Sequence, residues 1–569
     1  MFKELYDRWC KFAILDPDLI AELKAIKNDG AAIEDAFYTE LSFGTAGLRG
    51  VIGAGTNRMN VYTVGKATQG LAEYIKSSSD TPSVAIAYDS RIKSEVFARA
   101  SAEILAANGV KVYIYSELMP TPMLSYAVRY FKCDAGIVIT ASHNPAKYNG
   151  YKVYGPDGSQ MGPDAADRVL SLMNNIDVFA DIKRVSFDIA LKQGIIEYIG
   201  DDVIDSYLGE VEKCRVNKNI DLSKVKILYT PLNGTGNKPV RRMFKRIGAT
   251  DVTVVKEQEL PDGNFPTAPY PNPEIKEAYA CAFKAAKQVS PDIIIATDPD
   301  ADRAGLAVKR AGEFFLLSGN DIGVLLFEYI LKCRKALGTL PERPFAVKTI
   351  VSTEICKKIA ADYGCELKEV LTGFKFIGEQ ISVLEEKGQE DRFVFGFEES
   401  FGYLGGPYVR DKDAVFAATL ICEMTAYYKQ QNLNLLDVLE EIYQKYGYYL
   451  CSQKNHVCEG QAGMKLIADT MERIRNAPPR SIAGRDVIIF KDYKTSVALN
   501  MTDGKTEKIE LPRSNVLSFY LSDGSLLIVR PSGTEPKIKL YVCAVGADRA
   551  SAEITRDQII AEGTALLGI

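Results

Sequence analysis

Histidine and tryptophan are scarce: the 569-residue chain holds two imidazoles, His143 and His456, and one indole, Trp9. Its eleven cysteines form no Cys-x-x-Cys pair, so the inventory suits neither a zinc site nor a disulfide framework. No run of about 18 apolar residues occurs, and no transmembrane helix is expected. Residues 1–27 mix charges throughout, and Phe12-Ala-Ile-Leu15 is too short for the core of a signal peptide. An excess of one charge is missing too. With 69 basic and 74 acidic side chains the formal charge is −5, which gives no bulk attraction to nucleic acid or anionic membrane. Any anionic ligand must then be held by a local basic pocket. A soluble, reduced, cytoplasmic protein is expected, with no nucleic-acid, membrane or obligatory protein partner.

What is present is ordinary globular material, 47% apolar and 25% charged, in a chain long enough for about three to five domains. Residues 17–40 read as a helix-rich polar arm. Beyond it, β-branched runs alternate with helical stretches: strands at Ser83–Tyr88, Val110–Tyr115 and Ala135–Thr140, helices near 94–108 and 122–131. The rhythm recurs over 225–308 and again over 313–430, and argues for doubly wound, largely parallel sheets. From about 447 the chain is richer in strands and suits a smaller α+β unit. Proline-rich breaks at 261–273, 341–344 and 478–479 mark loops or boundaries.

Four apolar strands end in polar, turn-rich loops, the place where open parallel sheets bind ligands. Asp298-Pro-Asp-Ala-Asp302 can turn three carboxylates toward one hard divalent cation. An EF-hand is excluded because Arg303 and Lys309 stand where it needs glycine and glutamate. The nucleophile loop of aspartate-based phosphatases fits poorly with Arg303 after Asp302. A solvated acidic turn is the plain alternative. In Thr140-Ala-Ser-His-Asn-Pro145, Ser142 sits at a strand end beside His143, placed to act as a nucleophile or phosphoryl carrier, although adjacent residues usually point apart. No Gly-x-Ser-x-Gly elbow surrounds it, which counts against an ordinary serine hydrolase. Arg530-Pro-Ser-Gly-Thr-Glu-Pro536 combines an arginine, two hydroxyls and a glycine into a plausible phosphate cradle, with cap chemistry as the alternative. Glu398-Glu-Ser400 offers acceptors for sugar hydroxyls. Lys412 can meet a phosphate or donate a proton, but reads equally as a charged surface turn. The glycine-rich segment 42–50, with Arg49, matches neither the dinucleotide fingerprint nor Walker A, so nucleotide binding is not indicated.

Taken in order from Phe43 to about Tyr541, these four motifs resemble the α-D-phosphohexomutase superfamily. The arm, Phe43-Gly-Thr-Ala-Gly-Leu-Arg49 and Asn57-Arg-Met-Asn60 look like a subgroup that includes α-phosphoglucomutases, phosphopentomutases and a glucose-1,6-bisphosphate synthase. The resemblance implies three consecutive α/β domains of mixed, largely parallel sheet and a C-terminal α+β domain around a central cleft. Their expected bounds are 1–200, 201–312, 313–446 and 447–569. It also implies a phosphoserine at Ser142 and one Mg²⁺ per chain held by Asp298, Asp300, Asp302 and the seryl phosphate. Arg303 would organise the phosphoserine, and Arg49, His143, Lys152 and Lys412 would serve proton transfer or transition-state charge. Thr372, Gly373, Glu398 and Ser400 match the sugar loops, and Arg530, Ser532, Gly533 and Thr534 the grip on the non-reacting phosphate.

The implied reaction exchanges glucose 1-phosphate and glucose 6-phosphate through glucose 1,6-bisphosphate, which is both intermediate and activator. Phosphopentomutase and hexose bisphosphate synthase stand as alternatives within the class, and phosphomannomutase behind them. An aspartate-nucleophile phosphatase and a non-catalytic sugar-phosphate sensor stand outside it. Phe397 occupies a place where many members have glycine, so a bulky ring is expected to reshape the sugar pocket. Tyr408 occupies a place where some members have histidine.

Overall fold

The computed structural model describes residues 2–44, 47–458, 460–532 and 537–568. The chain divides into two compact units, one of Met1–Leu317, Gly378–Phe393 and Phe401–Gln430, the other of Ser318–Ile377, Val394–Ser400 and Gln431–Ile569.

The first unit contains two sheets. The larger has the strand order Gly47–Val51, Tyr148–Tyr154, Ala135–Ile139, Ser83–Tyr88, Lys111–Tyr115, Ile196–Ile199. Its last four strands are parallel, as the βαβ rhythm requires, while the first two run antiparallel. The second sheet repeats the device in the order Glu313–Leu316, Ala304–Arg310, Ile293–Thr297, Ile227–Thr230, Val252–Val254, again part parallel and part antiparallel. Ala135–Ile139 and Ile293–Thr297 are buried along their whole length, which is why each reads as an unbroken apolar run. Each is followed not by a crossover helix but by an antiparallel return strand. The polar loop after it is therefore pinned at both ends by the same sheet.

Ahead of these sheets lie three short helices, Phe2–Phe12, Pro17–Ala25 and Gly30–Phe37. The arm is helical as expected, and it begins earlier than the sequence reading placed it. It is also no detached appendage. Trp9 is buried and packs edge-on against Phe37, Tyr62 and Phe179. Aspartates at positions 16 and 29 cap the second and third helices by accepting from backbone N–H groups.

In the second unit, strands Glu366–Val370, Phe345–Thr349 and Phe393–Glu398 lie side by side in that order. A separate sheet is antiparallel throughout, in the order Tyr448–Val457, Lys537–Gly546, Leu526–Pro531, Leu517–Leu521, Arg485–Asp492, Val497–Asn500, Thr506–Lys508. Residues of helices Gly460–Asn476 and Arg549–Leu567, among them Met471, Ile474 and Ile559, share a core with Phe519, Leu527 and Leu540 of its strands. This is the α+β unit expected from the strand-rich tail.

Candidate active site

The chemistry gathers at two loops of the first unit. Strand Ala135–Ile139 runs into Thr140, whose Oγ1 accepts the backbone N–H of Ser142 at 2.8 Å. That bond helps turn Ser142 into the left-handed region, φ +51°, a conformation that strains a residue with a Cβ and persists only where its surroundings impose it. Arg91 imposes it. Its buried guanidinium donates to the carbonyl oxygens of Ser142, Asn144, Pro145 and Tyr148 and lies 3.3 Å from Asp89. Gly150 on the return strand passes so close that a Cβ there would meet the Thr140 carbonyl oxygen at 2.5 Å. The result is an oriented hydroxyl: Ser142 Oγ donates to Asp298 Oδ2 at 3.0 Å and lies 3.1 Å from His143 Nδ1. Adjacent Ser and His side chains do converge here, because the left-handed turn brings them together.

The second loop leaves strand Ile293–Thr297. Pro299 and the left-handed Ala301 (φ +46°) fold it so tightly that one oxygen from each of Asp298, Asp300 and Asp302 falls within 4.8 Å of the others. All three aspartates are fully buried, so the solvated-turn reading does not hold. Asp298 Oδ1 accepts the N–H groups of Asp302 (3.1 Å) and Arg303 (3.0 Å). Asp300 Oδ2 receives Lys152 Nζ (3.2 Å) and Thr121 Oγ1 (3.1 Å), and Asp302 Oδ2 receives Lys412 Nζ (2.9 Å). Two buried oxygens, Asp300 Oδ1 and Asp302 Oδ1, have no hydrogen-bond partner among the described residues. Buried acceptors are ordinarily satisfied, and two orphans in an all-oxygen cluster fit a hard divalent cation.

The electrostatics of this cluster are divided. Burial and the charges of Asp300 and Asp302 push Asp298 well above the usual carboxylate range, and burial with Asp300 raises Asp302. Asp300 is also buried, yet Lys152 and Lys412 hold its pKa below the usual value. Burial, reinforced by Arg303 despite the opposing charge of Asp300, pushes the His143 imidazole well below its ordinary value and keeps it neutral. A neutral imidazole keeps one ring nitrogen able to accept a proton. Arg49 is exposed on strand Gly47–Val51, in register with Gly150, and adds to the positive field on His143. Arg303 bonds Glu274 at 2.6 Å and keeps its Nε 4.0 Å from Asp298 and 3.8 Å from Asp302.

Lys412 is no surface turn. Its side chain is largely buried against Asp302, and its backbone N–H bonds Asp411, whose other carboxylate oxygen takes the hydroxyl of Tyr154 at 2.5 Å. Asp413 accepts from Tyr207 and Tyr408 (both 2.7 Å) and caps helix Ala414–Lys429, so Tyr408 is committed to that aspartate.

Arg49, Ser142, His143, Lys152, Asp298, Asp300, Asp302, Arg303 and Lys412 thus all stand in the first unit. The residues expected from the sequence to meet sugar and phosphate stand in the second. Thr372 Oγ1 is buried without a hydrogen-bond partner among the described residues, and Gly373 adopts φ +122°. Glu398 ends its strand buried, followed by Ser400. Beside it, Glu399 accepts from Thr349 Oγ1 at 3.2 Å; burial and the neighbouring charge of Glu398 raise its pKa to about 7. Arg530 lies directly across from Lys539 in the antiparallel sheet, and Ser532 N–H donates to the Lys537 carbonyl at 2.8 Å. Gly533 and Thr534 lie outside the described residues. Sequence reading missed Asp89, Arg91 and Thr121. Asp89-Ser-Arg91 follows the apolar strand Ser83–Tyr88, the same signal that exposed the other loops, and Pro120-Thr121 opens a helix after the next strand.

Four family models match in chain order: Phosphoglucomutase/phosphomannomutase, alpha/beta/alpha domain I over residues 40–179, domain II over 205–312, domain III over 318–446, and the C-terminal domain over 489–561. The chain belongs to the phosphoglucomutase/phosphomannomutase family. Among curated relatives, the chain is 38% identical over 541 residues to a protein of Staphylococcus haemolyticus named phosphoglucomutase, covering 94% of this chain and 95% of that one. Among solved structures, the phosphoglucomutase pp63/parafusin of Paramecium aligns with TM-score 0.69 at 19% identity, covering 93% of this chain and 96% of that one. A family protein of Burkholderia thailandensis gives 0.64 at 19%, covering 92% and 97%. These structures share the four-domain α/β fold. Among the described residues, no helix is long and apolar enough to cross a membrane.

Proposed function

We propose that this protein is a phosphosugar mutase that exchanges glucose 1-phosphate and glucose 6-phosphate, with Ser142 as phosphoryl carrier and glucose 1,6-bisphosphate as intermediate and activator. The observation that carries the reading is the Ser142 hydroxyl held 3.0 Å from Asp298 in a buried trio of aspartates. Support for glucose comes from relatives named phosphoglucomutase, 37–38% identical over about nine-tenths of the chain.

Asp298, Asp300 and Asp302 would hold one Mg²⁺, whose charge supplies Lewis-acid neutralisation of phosphoryl oxygens. The chain's own groups do the rest. Ser142 carries the phosphoryl group and hands it to a sugar hydroxyl in line, so its fixed orientation converts an encounter into a unimolecular step. His143, neutral and 3.1 Å from Ser142 Oγ, takes and returns the proton. Lys152, Lys412 and Arg303, already converged on the carboxylates, offer positive charge to the transferring group. Arg530 and Ser532, with Gly533 and Thr534, grip the phosphate that is not being transferred, while Thr372, Gly373, Glu398 and Ser400 read the sugar. After the first transfer the bisphosphate turns end for end and returns a phosphoryl group to Ser142. Asp298 is a poor nucleophile by comparison, since Oδ1 accepts two amides and Oδ2 the serine hydroxyl.

The test is a substrate panel of glucose, mannose, N-acetylglucosamine and ribose 1-phosphates with Mg²⁺ and glucose 1,6-bisphosphate, run on the wild type and Ser142→Ala. The wild type should turn over glucose 1-phosphate best, and the variant should fold normally and lose isomerisation. Turnover retained in Ser142→Ala would remove the carrier role, and a pentose preference would overturn the choice of substrate.

A further inference from the structure

Among the eleven cysteines, all free thiols, two are set apart by their placement. Cys451 and Cys543 are directly opposed partners in the antiparallel ladder of Tyr448–Val457 and Lys537–Gly546, and the Cys451 thiol donates to Cys543 Sγ across 2.9 Å. Directly opposed residues of an antiparallel pair have Cα atoms about 4.5–5.5 Å apart, within the range a disulfide spans. The pair therefore lies within the reach of a disulfide.

We infer that Cys451 and Cys543 are a redox-modification site, a dithiol that peroxide converts to a cross-strand disulfide and that reductant restores. The surroundings of the two sulfurs differ in the way such chemistry needs. Cys543 Sγ takes the Cys451 thiol hydrogen, a backbone hydrogen bond from Glu354 at the start of helix Ile355–Asp362, and lies 3.8 Å from Thr353 Oγ1. Donors from a helix N-terminus and a neighbouring thiol favour the thiolate, and the bond from Cys451 outweighs burial in drawing the Cys543 pKa down. Cys451 is half-buried on the edge strand of the sheet, whereas Cys543 is buried.

The electron count closes with hydrogen peroxide as oxidant. The Cys543 thiolate attacks one peroxide oxygen, the O–O bond breaks, and Cys543 becomes a sulfenic acid as hydroxide leaves. Cys451 then gives up its proton and attacks Cys543 Sγ, forming the S–S bond and expelling the sulfenic oxygen as water. Two thiols lose two electrons, and one peroxide is reduced to two waters. Thiol reductants reverse the bond by exchange. The mutase chemistry uses neither cysteine, so the site stands whether or not that reading holds.

The test uses the full-length reduced protein. After brief treatment with hydrogen peroxide, remaining thiols are alkylated and the protein is mapped by mass spectrometry without reduction. A linked peptide pair containing Cys451 and Cys543, loss of both alkylation sites, and recovery of both with dithiothreitol are expected. In Cys451→Ser the linked pair should disappear and Cys543 should become labelled by dimedone. The inference fails if both thiols stay fully alkylatable while other cysteines oxidise. It also fails if Cys543 links to the nearby Cys356, or goes to sulfonic acid without a disulfide.

Discussion

Arg91→Lys separates charge from geometry at the serine loop. Lysine keeps a positive charge near Asp89, itself fully buried, so the large penalty of leaving a carboxylate uncompensated is avoided. What is lost is the fork. Arg91 donates to four carbonyl oxygens of the segment that carries Ser142, and an ammonium on a flexible stem cannot reach them all. Hydrogen bonds from a charged donor are worth about 1.5–3 kcal/mol each, so losing two of the four removes roughly 3–6 kcal/mol of restraint. The left-handed Ser142 is strained by about 1–3 kcal/mol, so the restraint lost is enough for the turn to relax. Ser142 Oγ would then leave its 3.0 Å approach to Asp298. A misplacement of this kind lowers kcat on the order of 100-fold. KM for glucose 1-phosphate should change little, because the groups proposed to hold sugar and phosphate belong to other loops. Coupling glucose 6-phosphate formation to NADP reduction reads both constants. Wild-type kcat in a folded Arg91→Lys protein would refute the claim that this guanidinium holds the serine in place.

Arg530→Ala should weaken phosphosugar binding by about 10-fold or more, one charge-assisted contact being worth about 1.5–3 kcal/mol; calorimetry would show it, and unchanged affinity would misplace the cradle. Glu399 is protonated more readily in the folded chain than in the unfolded one, so its neutral form supports the fold below pH 4.5 and that support is lost as pH rises through about 7. Glu399→Gln should therefore raise the unfolding temperature at pH 8 and leave it nearly unchanged at pH 4.5; the opposite pH dependence would refute the assignment. Gly323→Ala puts a Cβ 2.4 Å from the Phe397 ring, and overpacking of about 1–3 kcal/mol should exceed the gain of about 1 kcal/mol from helix propensity. Thermal unfolding should fall by a few degrees and partly recover with Phe397→Leu added; no recovery would place the clash elsewhere.

The loops were legible because a fully buried strand writes an unbroken apolar run, and the polar residues that end it stand out. That signal exposed Thr140 to Pro145 and Asp298 to Arg303. It could not reveal what each loop does next. Both lead into antiparallel return strands, and an apolar run carries no direction. Partners distant in sequence were equally hidden. Lys412 reads as a charged turn until the fold lays it against Asp302, and Thr121 is an ordinary helix start until its hydroxyl meets Asp300. The left-handed Ser142 was illegible for another reason: serine does not advertise positive φ, and the group that enforces it, Arg91, acts through backbone carbonyls that carry no sequence signature.

The departure from the family pattern at Phe397, beside the loop proposed to read the sugar, is resolved by strand alternation. From sequence, a bulky ring at Phe397 is expected to reshape the sugar pocket proposed beside Glu398. Successive strand residues face opposite sides, so the ring and the carboxylate cannot share a face. The ring is buried, stacks on Phe395 at 5.7 Å, and presses on Gly323 in helix Gly319–Ala336, while Phe327 of the same helix stacks on Phe395 at 6.0 Å. Glycine in that helix yields the volume the ring takes. The substitution is thus matched within the core, on the far side of the strand from Glu398.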